Sequence, residues 1–205
     1  KNYLKGFVLL KQWRDELSEN SSEDQTFIDE MFKDIDTQSA GGVKGKDFVF
    51  LDNETQEKYT ALRGNDTIII NTSNGQTVEG QNGDDVIVAG QGNDYLAGGA
   101  GRNSYIFYKG IGEDFVNYDN TYSGNEYEKL AFTDVNLDEV IFYKQDQNLI
   151  VSFGSDKVTV LGALDTTSTK SLIFKFQDQV LSLNNITEQP LVNLTTSDTQ
   201  KYING

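Results

Sequence analysis

Acidic and amide side chains recur at a nearly constant interval in the middle of this 205-residue chain. The stretch GDDVIVAGQGNDYLAGGAGRN, residues 83–103, places a Gly-rich turn closed by Asp or Asn before each short apolar segment. Glycines allow backbone conformations in which carbonyl groups converge, and the carboxylate adds an oxygen on the same edge. Ca2+ takes about six to eight such oxygens, whereas Mg2+ requires a tight octahedral shell and keeps its waters. The chemistry that this pattern favours is therefore calcium binding.

The interval is nine residues. It separates the apolar residues Ile87, Leu96 and Tyr105, with Val78 one step earlier and Ile68 ten residues before that. A flexible Gly/Asn/Asp linker is the alternative interpretation, but disorder does not require an apolar residue at every ninth position. A fixed period is typical of a repeat architecture, and here each unit is predicted to be a turn followed by a three-residue strand with one inward side chain.

Composition restricts the chemistry further. The chain has 17 Lys and Arg against 32 Asp and Glu, a formal charge of -15, and neither Cys nor His. This charge disfavours nucleic acid and anionic membranes and favours cations. The missing residue types exclude disulfides, His-ligated zinc and Ser-His-Asp or Cys-His catalysis within this sequence, so we expect no enzyme. No apolar run is long enough for a signal peptide or a membrane span.

Helices are predicted at the N-terminus and strands elsewhere. Residues 3–17 have apolar positions at helical spacing, and a second helix is indicated by the capping pattern at Ser21 and by apolar spacing from Ile28 to Ile35. After the repeats, the runs VIFYK, LIVSF, KVTVL, SLIFKF and VLSL are rich in strand-forming residues and separated by turn residues. The sequence therefore predicts a mainly β protein with a small N-terminal helical cap.

The pattern G-G-x-G-x-D-x-(apolar)-x resembles the nonapeptide repeats of RTX (repeats-in-toxin) proteins of the haemolysin type. The units GQNGDDVIV, AGQGNDYLA and GGAGRNSYI carry the resemblance, and ALRGNDTII is a more divergent copy. The resemblance implies a parallel β-roll, a β-solenoid of nonapeptides continued by a β-rich C-terminal segment. We divide the chain into a helical segment (1–47), the calcium-binding repeats (48–118), a post-repeat β-rich segment (119–186) and a C-terminal tail (187–205).

The resemblance also implies where calcium binds. Two nonapeptides form one coil of such a roll, so units two apart stack on the same edge. Asp66 then shares a site with Asp85, Asp85 with Asn103, and Asp94 with Asp114. Because Asn103 keeps an oxygen but lacks a charge, its site is expected to be weaker. With the carbonyls of the turns included, the implied metal-binding residues are Gly64, Asp66, Gly83, Asp85, Gly92, Asp94, Gly101, Asn103, Gly112 and Asp114.

Two classes of function remain. In the first, the chain is the calcium-binding C-terminal part of a larger secreted bacterial toxin, adhesin or hydrolase, and its partners are calcium ions and the type I secretion machinery. In the second, it is an extracellular recognition or adhesion domain that binds a host glycan, peptide or protein at the cell surface, with calcium in a structural role. The polar tail is either a loosely packed end or a secretion signal.

Overall fold

The structure is a computed structural model, and it describes residues 35–36, 48–52, 57–118, 127–165, 171–188 and 191–193. A three-residue 3-10 helix, Leu137–Glu139, and a short α-helix, α1 (Leu183–Thr187), accompany the strands. The strands of this part of the chain are β1 (Ile35–Asp36), β2 (Phe48–Leu51), β3 (Lys58–Arg63), β4 (Thr67–Ile70), β5 (Thr77–Asn82), β6 (Val86–Val88), β7 (Tyr95–Ala97), β8 (Asn103–Phe107), β9 (Glu113–Asn117), β10 (Tyr127–Phe132), β11 (Val140–Gln145), β12 (Asn148–Phe153), β13 (Asp156–Leu161), β14 (Ser171–Lys175), β15 (Val180–Ser182) and β16 (Val192–Asn193).

The strands form two eight-stranded sheets. The first has the order β1-β2-β4-β6-β8-β10-β14-β15 and the second the order β16-β11-β12-β13-β9-β7-β5-β3. Successive repeat strands alternate between the two sheets and pair in parallel with the strand two units away. Two units thus make one coil, and the predicted mainly β class and parallel roll are confirmed. Antiparallel pairing occurs only after the repeats, at β11–β12, β12–β13 and β14–β15 within the described residues.

Inward side chains from both sheets fill the roll. In the first sheet Ile68 is in register with Ile87, and Ile87 with Tyr105. In the second sheet Val78 is in register with Leu96. All five side chains are fully buried. Residues in register on neighbouring parallel strands point to the same face of the sheet. The nine-residue period therefore places one of these five side chains in each repeat strand from β4 to β8, facing the core.

Aromatic side chains enlarge the core at the C-terminal end. Phe107 stacks on Phe132 with ring centroids 5.4 Å apart, and Phe132 lies 5.4 Å from Phe153 and 5.0 Å from Phe176. Phe107 belongs to a repeat strand, β8, whereas the other three follow the repeats. The repeats and the post-repeat strands therefore share one continuous core, because both sheets run through them without a break.

Several elements differ from the sequence-based expectations. The five predicted post-repeat runs form β11 to β15, but β10 was not predicted, because Glu128 and Lys129 interrupt its apolar pattern. The helical cap is not supported: most of it lies outside the described residues. Ile35, expected in the second helix, is in β1, which pairs in parallel with β2, since the edge of that sheet offers backbone hydrogen bonds. In the described part of the chain no helix has the length and apolarity to cross a membrane.

Glycines allow the turns to stack closely. Gly83 has φ 143°, and a Cβ on this residue would overlap the carbonyl oxygen of Gly64 in the preceding coil. Gly101 repeats the arrangement one coil further, against the carbonyl of Gly83. A larger residue at these positions would both strain the backbone and separate the coils.

We predict that Gly83→Ala is clearly more destabilising than Gly154→Ala. Gly154 also has positive φ, 61°, but an added Cβ would meet nothing within 4 Å. Its substitution should therefore cost about 1 kcal/mol of conformational strain, whereas the overlap at Gly83 should add about 2 kcal/mol. Urea unfolding in the presence of calcium measures both values, and equal losses would contradict the close stacking of the coils.

Candidate metal centre

Four side chains form a column along the edge of the first sheet; we call this the first column, made of Asp66, Asp85, Asn103 and Glu128. The backbone N–H of Asp66 donates to Asp85 Oδ1 (2.8 Å), and that of Asp85 donates to Asn103 Oδ1 (3.0 Å). Glu128 continues the column because it is in register with Asn103. No member is more than 1% exposed. The structure thus brings together the three predicted residues of this edge and adds a fourth.

The second column runs along the other sheet and contains Gln76, Asp94 and Asp114. The N–H of Gln76 donates to Asp94 Oδ1 (2.8 Å), and the N–H of Asp94 donates to Asp114 Oδ1 (2.9 Å). The structure thus brings Asp94 and Asp114 together, and Gln76 takes the equivalent place in SNGQTVE, residues 73–79, a degenerate unit of the repeat.

Some column oxygens are buried without a hydrogen-bond partner. Asp85 and Asp114 each accept a backbone N–H with Oδ1, while their Oδ2 atoms have no donor. Gln76 Oε1 is likewise buried without a donor. Asp94 differs, because its Oδ2 accepts the N–H of Gly90 (2.9 Å). Burying a carboxylate oxygen without a donor is costly, and a bound cation removes that cost.

The absence of a side chain at Gly80 makes room for the Asp85 carboxylate. A Cβ on Gly80 would overlap Asp85 Oδ2 and lie 2.8 Å from the carbonyl oxygen of Gly98. A carboxylate oxygen and a backbone oxygen thus lie on the same side of this glycine, and both are of the kind that Ca2+ binds. No three acidic side chains converge on one point among the described residues, so any cation held here also depends on carbonyls.

The turn glycines of the prediction have related positions. The carbonyls of Gly64 and Gly83 face the glycine of the next coil, and a Cβ on Gly112 would lie 2.5 Å from the carbonyl oxygen of Gly92. Sequence reasoning missed the carbonyl of Gly98 beside Asp85, because it belongs to the first glycine of its repeat rather than to the third.

Two further acidic residues were also missed. Glu128 precedes the inward Leu130 by two residues, just as Asn103 precedes Tyr105, and this spacing is its only signal in the sequence. Asp156 accepts the N–H groups of Gly110 (2.8 Å) and Gly112 (3.0 Å) and so closes the last turn of the second edge. Neither residue belongs to a nonapeptide.

An outer ladder of exposed side chains runs beside the first column. The N–H of Asp84 donates to Asn65 Oδ1 (2.9 Å), and the N–H of Arg102 donates to Asp84 Oδ1 (2.9 Å). The Arg102 guanidinium also forms a salt bridge with Asp84, and this pairing lowers the pKa of that carboxyl. The ion pair of Asp84 with Arg102 therefore lies at the surface and contributes little to stability, whereas the neighbouring Asp85 is buried.

Burial controls the protonation of the column carboxylates. It raises the pKa of Asp85 to about 7, and the neighbouring Asp66 carboxylate contributes in the same direction. Burial likewise raises the pKa of Asp114 to about 8, with a contribution from Asp94, and raises that of Asp94 itself. The stacked carboxylates thus hold their charge poorly near neutral pH unless a cation offsets it.

Comparison with known proteins gives one family match. Residues 71–105 match the RTX calcium-binding nonapeptide repeat, in four copies. No curated protein matches the chain. Among solved structures, the chain is similar to the extracellular lipase LipA from Serratia marcescens, with 12% identity and a TM-score of 0.27 over 62% of this chain and 36% of the lipase. The chain therefore spans little more than a third of the length of that protein.

In the presence of a chelator, we expect the folded fraction to rise as the pH falls from about 8 to about 5. The folded-state pKa values of Asp85, about 7, and Asp114, about 8, lie above the unfolded value of 3.8, so the fold binds protons more tightly than the unfolded chain. This stabilisation is complete below the unfolded pKa and is lost as the pH rises through the folded values. Circular dichroism in EGTA measures the effect.

The double variant Asp85→Asn, Asp114→Asn serves as the control, because it removes both titrating groups; a profile as steep as that of the original chain would contradict this assignment. In calcium the trend should reverse, since protons compete with the ion for the same oxygens.

Proposed function

Because residues 71–105 are RTX calcium-binding nonapeptide repeats, we propose that this chain is the calcium-binding module of a secreted bacterial protein, and that calcium drives its folding outside the cell. The observation that supports this most directly is the buried Oδ2 of Asp85, which has no hydrogen-bond partner. It faces the same side of Gly80 as the Gly98 carbonyl. Asp85 Oδ1 already accepts the N–H of Asp66, so Oδ2 is the oxygen that remains for a cation.

The proposed ligands lie at two edges. Asp66 and Asp85 would hold an ion at the first column, and Asp94 and Asp114 would hold one at the second. Carbonyls of the Gly-rich turns would complete both sites, because Ca2+ takes about six to eight oxygens. The bound ion supplies the positive charge that stacked carboxylates lack. This chain's residues supply the rest: at Asp85 and Asp114 a backbone N–H fixes one carboxylate oxygen and leaves the other for the ion.

Charge balance supports coupling between calcium and folding. Residues 51–125 contain 11 Asp and Glu against four Lys and Arg, and the column carboxylates are buried rather than solvated. Without cations, their repulsion opposes a roll in which three-residue strands such as β6 and β7 each contribute one residue to the main core. A site that exists only in the folded state contributes its binding free energy to folding. We therefore propose that the repeats fold when calcium binds.

This coupling suits export. Extracellular calcium modules typically bind with dissociation constants of about 10⁻⁴ to 10⁻³ M, far above cytosolic free calcium. The chain would remain unfolded inside the cell, pass through the narrow channel of a type I secretion system and fold in the calcium-rich exterior. Folding there would oppose return, since release of the ions costs RT ln(1 + [L]/Kd). The parent protein would be a toxin, an adhesin or a hydrolase.

We predict that strand formation follows calcium binding. In EGTA, circular dichroism should show little strand signal from the repeats, and calcium should restore it with a midpoint of about 10⁻⁴ to 10⁻³ M. Isothermal titration of the same chain should give the same midpoint. Equal strand content with and without calcium would contradict the proposal, and so would a nanomolar site, which would fill in the cytosol.

Two adjacent aspartates provide a matched test. Asp85→Asn removes the carboxylate oxygen at Gly80 and should raise the calcium midpoint by roughly tenfold or more, because even groups that only support a ligand are typically worth about tenfold. Asp84→Asn makes the same chemical change one residue away, at the exposed ion pair with Arg102, and should leave the midpoint unchanged. Equal shifts would mean that net charge, rather than a site at Asp85, controls binding.

A further inference from the structure

Asp85 and Asn103 occupy equivalent places in successive coils but present opposite chemistry. An added Cβ on Gly80 would overlap Asp85 Oδ2, and one on Gly98 would overlap Asn103 Nδ2. The first coil therefore offers an acceptor at this point and the second a donor. The amide orientation is fixed by its other atom, since Asn103 Oδ1 accepts the N–H of Asp85 (3.0 Å). Reversing the amide would place two donors against each other.

The Asn103 amide connects a turn carbonyl to a carboxylate. Its Nδ2 donates to the carbonyl oxygen of Gly99 (3.2 Å) and to Glu128 Oε1 (3.2 Å). These are the two kinds of oxygen that a calcium ion would bridge, and the partial positive charge of the NH2 group lies between them. A cation at this point would meet N–H donors. The amide therefore takes the place of the ion.

Tyr105 belongs to the same cluster. Its hydroxyl accepts the N–H of Gly98 (2.7 Å), and its pKa is raised by burial and by the neighbouring Glu128 carboxylate. On its other side Glu128 is in register with Leu172, an apolar residue, so the first column ends here. The carboxylate at the end of the column is thus bound by groups of this chain.

The aromatic core joins the same two strands. Phe107 on β8 stacks on Phe132 of β10, and Phe132 packs in turn on the aromatic rings of the post-repeat segment. By contrast, β6 contributes Ile87 to the core and lies beside the Asp85 carboxylate with its unpartnered oxygen. Strand β8 therefore has aromatic packing and polar contacts that β6 lacks. Neither of these two kinds of contact requires an ion.

We propose that Asn103, Tyr105 and Glu128 form a calcium-independent clamp, which fastens the last repeat strand of the first sheet to the post-repeat strands and marks where calcium-dependent folding ends. The inference rests on the proposed function, because it divides the roll into coils that need calcium and a coil that does not. In this proposal Asn103 is not a calcium ligand. The ion-binding members of the first column are then Asp66 and Asp85.

Hydrogen exchange of the full chain, followed by mass spectrometry, tests the clamp. In EGTA, the amides of β8 and β10 should exchange about tenfold or more slowly than those of β4 and β6, because they stay folded when the ions are removed. Calcium should then slow exchange mainly in β4 and β6. An equal dependence on calcium in β6 and β8 would overturn the clamp while leaving the proposed function intact.

Asn103→Asp should convert the clamp into an ion site. The variant places a carboxylate oxygen where Nδ2 now lies, opposite Glu128, so it should bind one more calcium in equilibrium dialysis. It should also lose the protection of β8 in EGTA and recover it in calcium. Asn93→Asp is the matched control: Asn93 is exposed and accepts the N–H of Glu113 (3.1 Å), so it gains the same charge without touching the clamp.

The outcomes separate the two proposals. An Asn103→Asp variant that binds no additional ion, and whose β8 stays protected from exchange in EGTA, would overturn the clamp. This holds whatever exchange pattern the unsubstituted chain shows. If calcium alters exchange in none of the strands, the proposed function fails and the clamp hypothesis fails with it. Slow exchange of β8 in EGTA together with a gain of one ion in Asn103→Asp would establish the clamp.

Discussion

The fold depends on a row of buried side-chain oxygens, each of which accepts a backbone N–H from the neighbouring coil. The hydrogen bonds from Asp66 to Asp85 and from Asp85 to Asn103 set the height and the rotation of the turns. They also force carboxylates to stack at the spacing of adjacent strands. Two unit charges about 4.8 Å apart repel by about 3 kcal/mol at an effective dielectric constant of about 20. The contacts that align the coils are therefore the contacts that charge makes unfavourable.

The core cannot easily offset this repulsion. Full burial of one large aliphatic side chain contributes about 1.5 to 3 kcal/mol, and the three-residue strand β6 buries two, Ile87 in the main core and Val88 in a smaller cluster. The two magnitudes are similar, and ordering the backbone of each Gly-rich turn costs more. A neutralising ion thus determines whether a coil is stable. The glycines contribute twice, since Gly80 leaves room for the Asp85 carboxylate and Gly83 lets the coils approach.

The sequence predicts the periodic part of this arrangement and misses what lies outside it. The nine-residue period predicts the inward Ile87, and the resemblance to RTX repeats implies stacking two units apart and hence the two columns. The strands after the repeats could be predicted from their strand-forming residues. Glu128 could not, because it follows Asn103 by 25 residues instead of about 18 and the intervening residues do not match the repeat. Ile35 fits a helical spacing, yet a sheet edge places it in a strand. Local pattern does not report which partner the tertiary structure offers.

The orientation of the Asn103 amide shows the same limit and explains why the roll is asymmetric. The sequence shows only that a charge is missing at this position; whether the residue then presents oxygen or nitrogen depends on the N–H of Asp85. Because that N–H takes the oxygen, the nitrogen faces Glu128 and donates to its carboxylate, so one end of the first column is hydrogen-bonded within the chain. In a solenoid, stability is approximately a sum of terms between neighbours. A coil that adds to an already folded end gains its neighbour contacts at once, whereas an isolated coil must order its backbone before it gains any. An end closed by aromatic packing and neutral donors therefore gives the ion-dependent coils a folded surface on which to form.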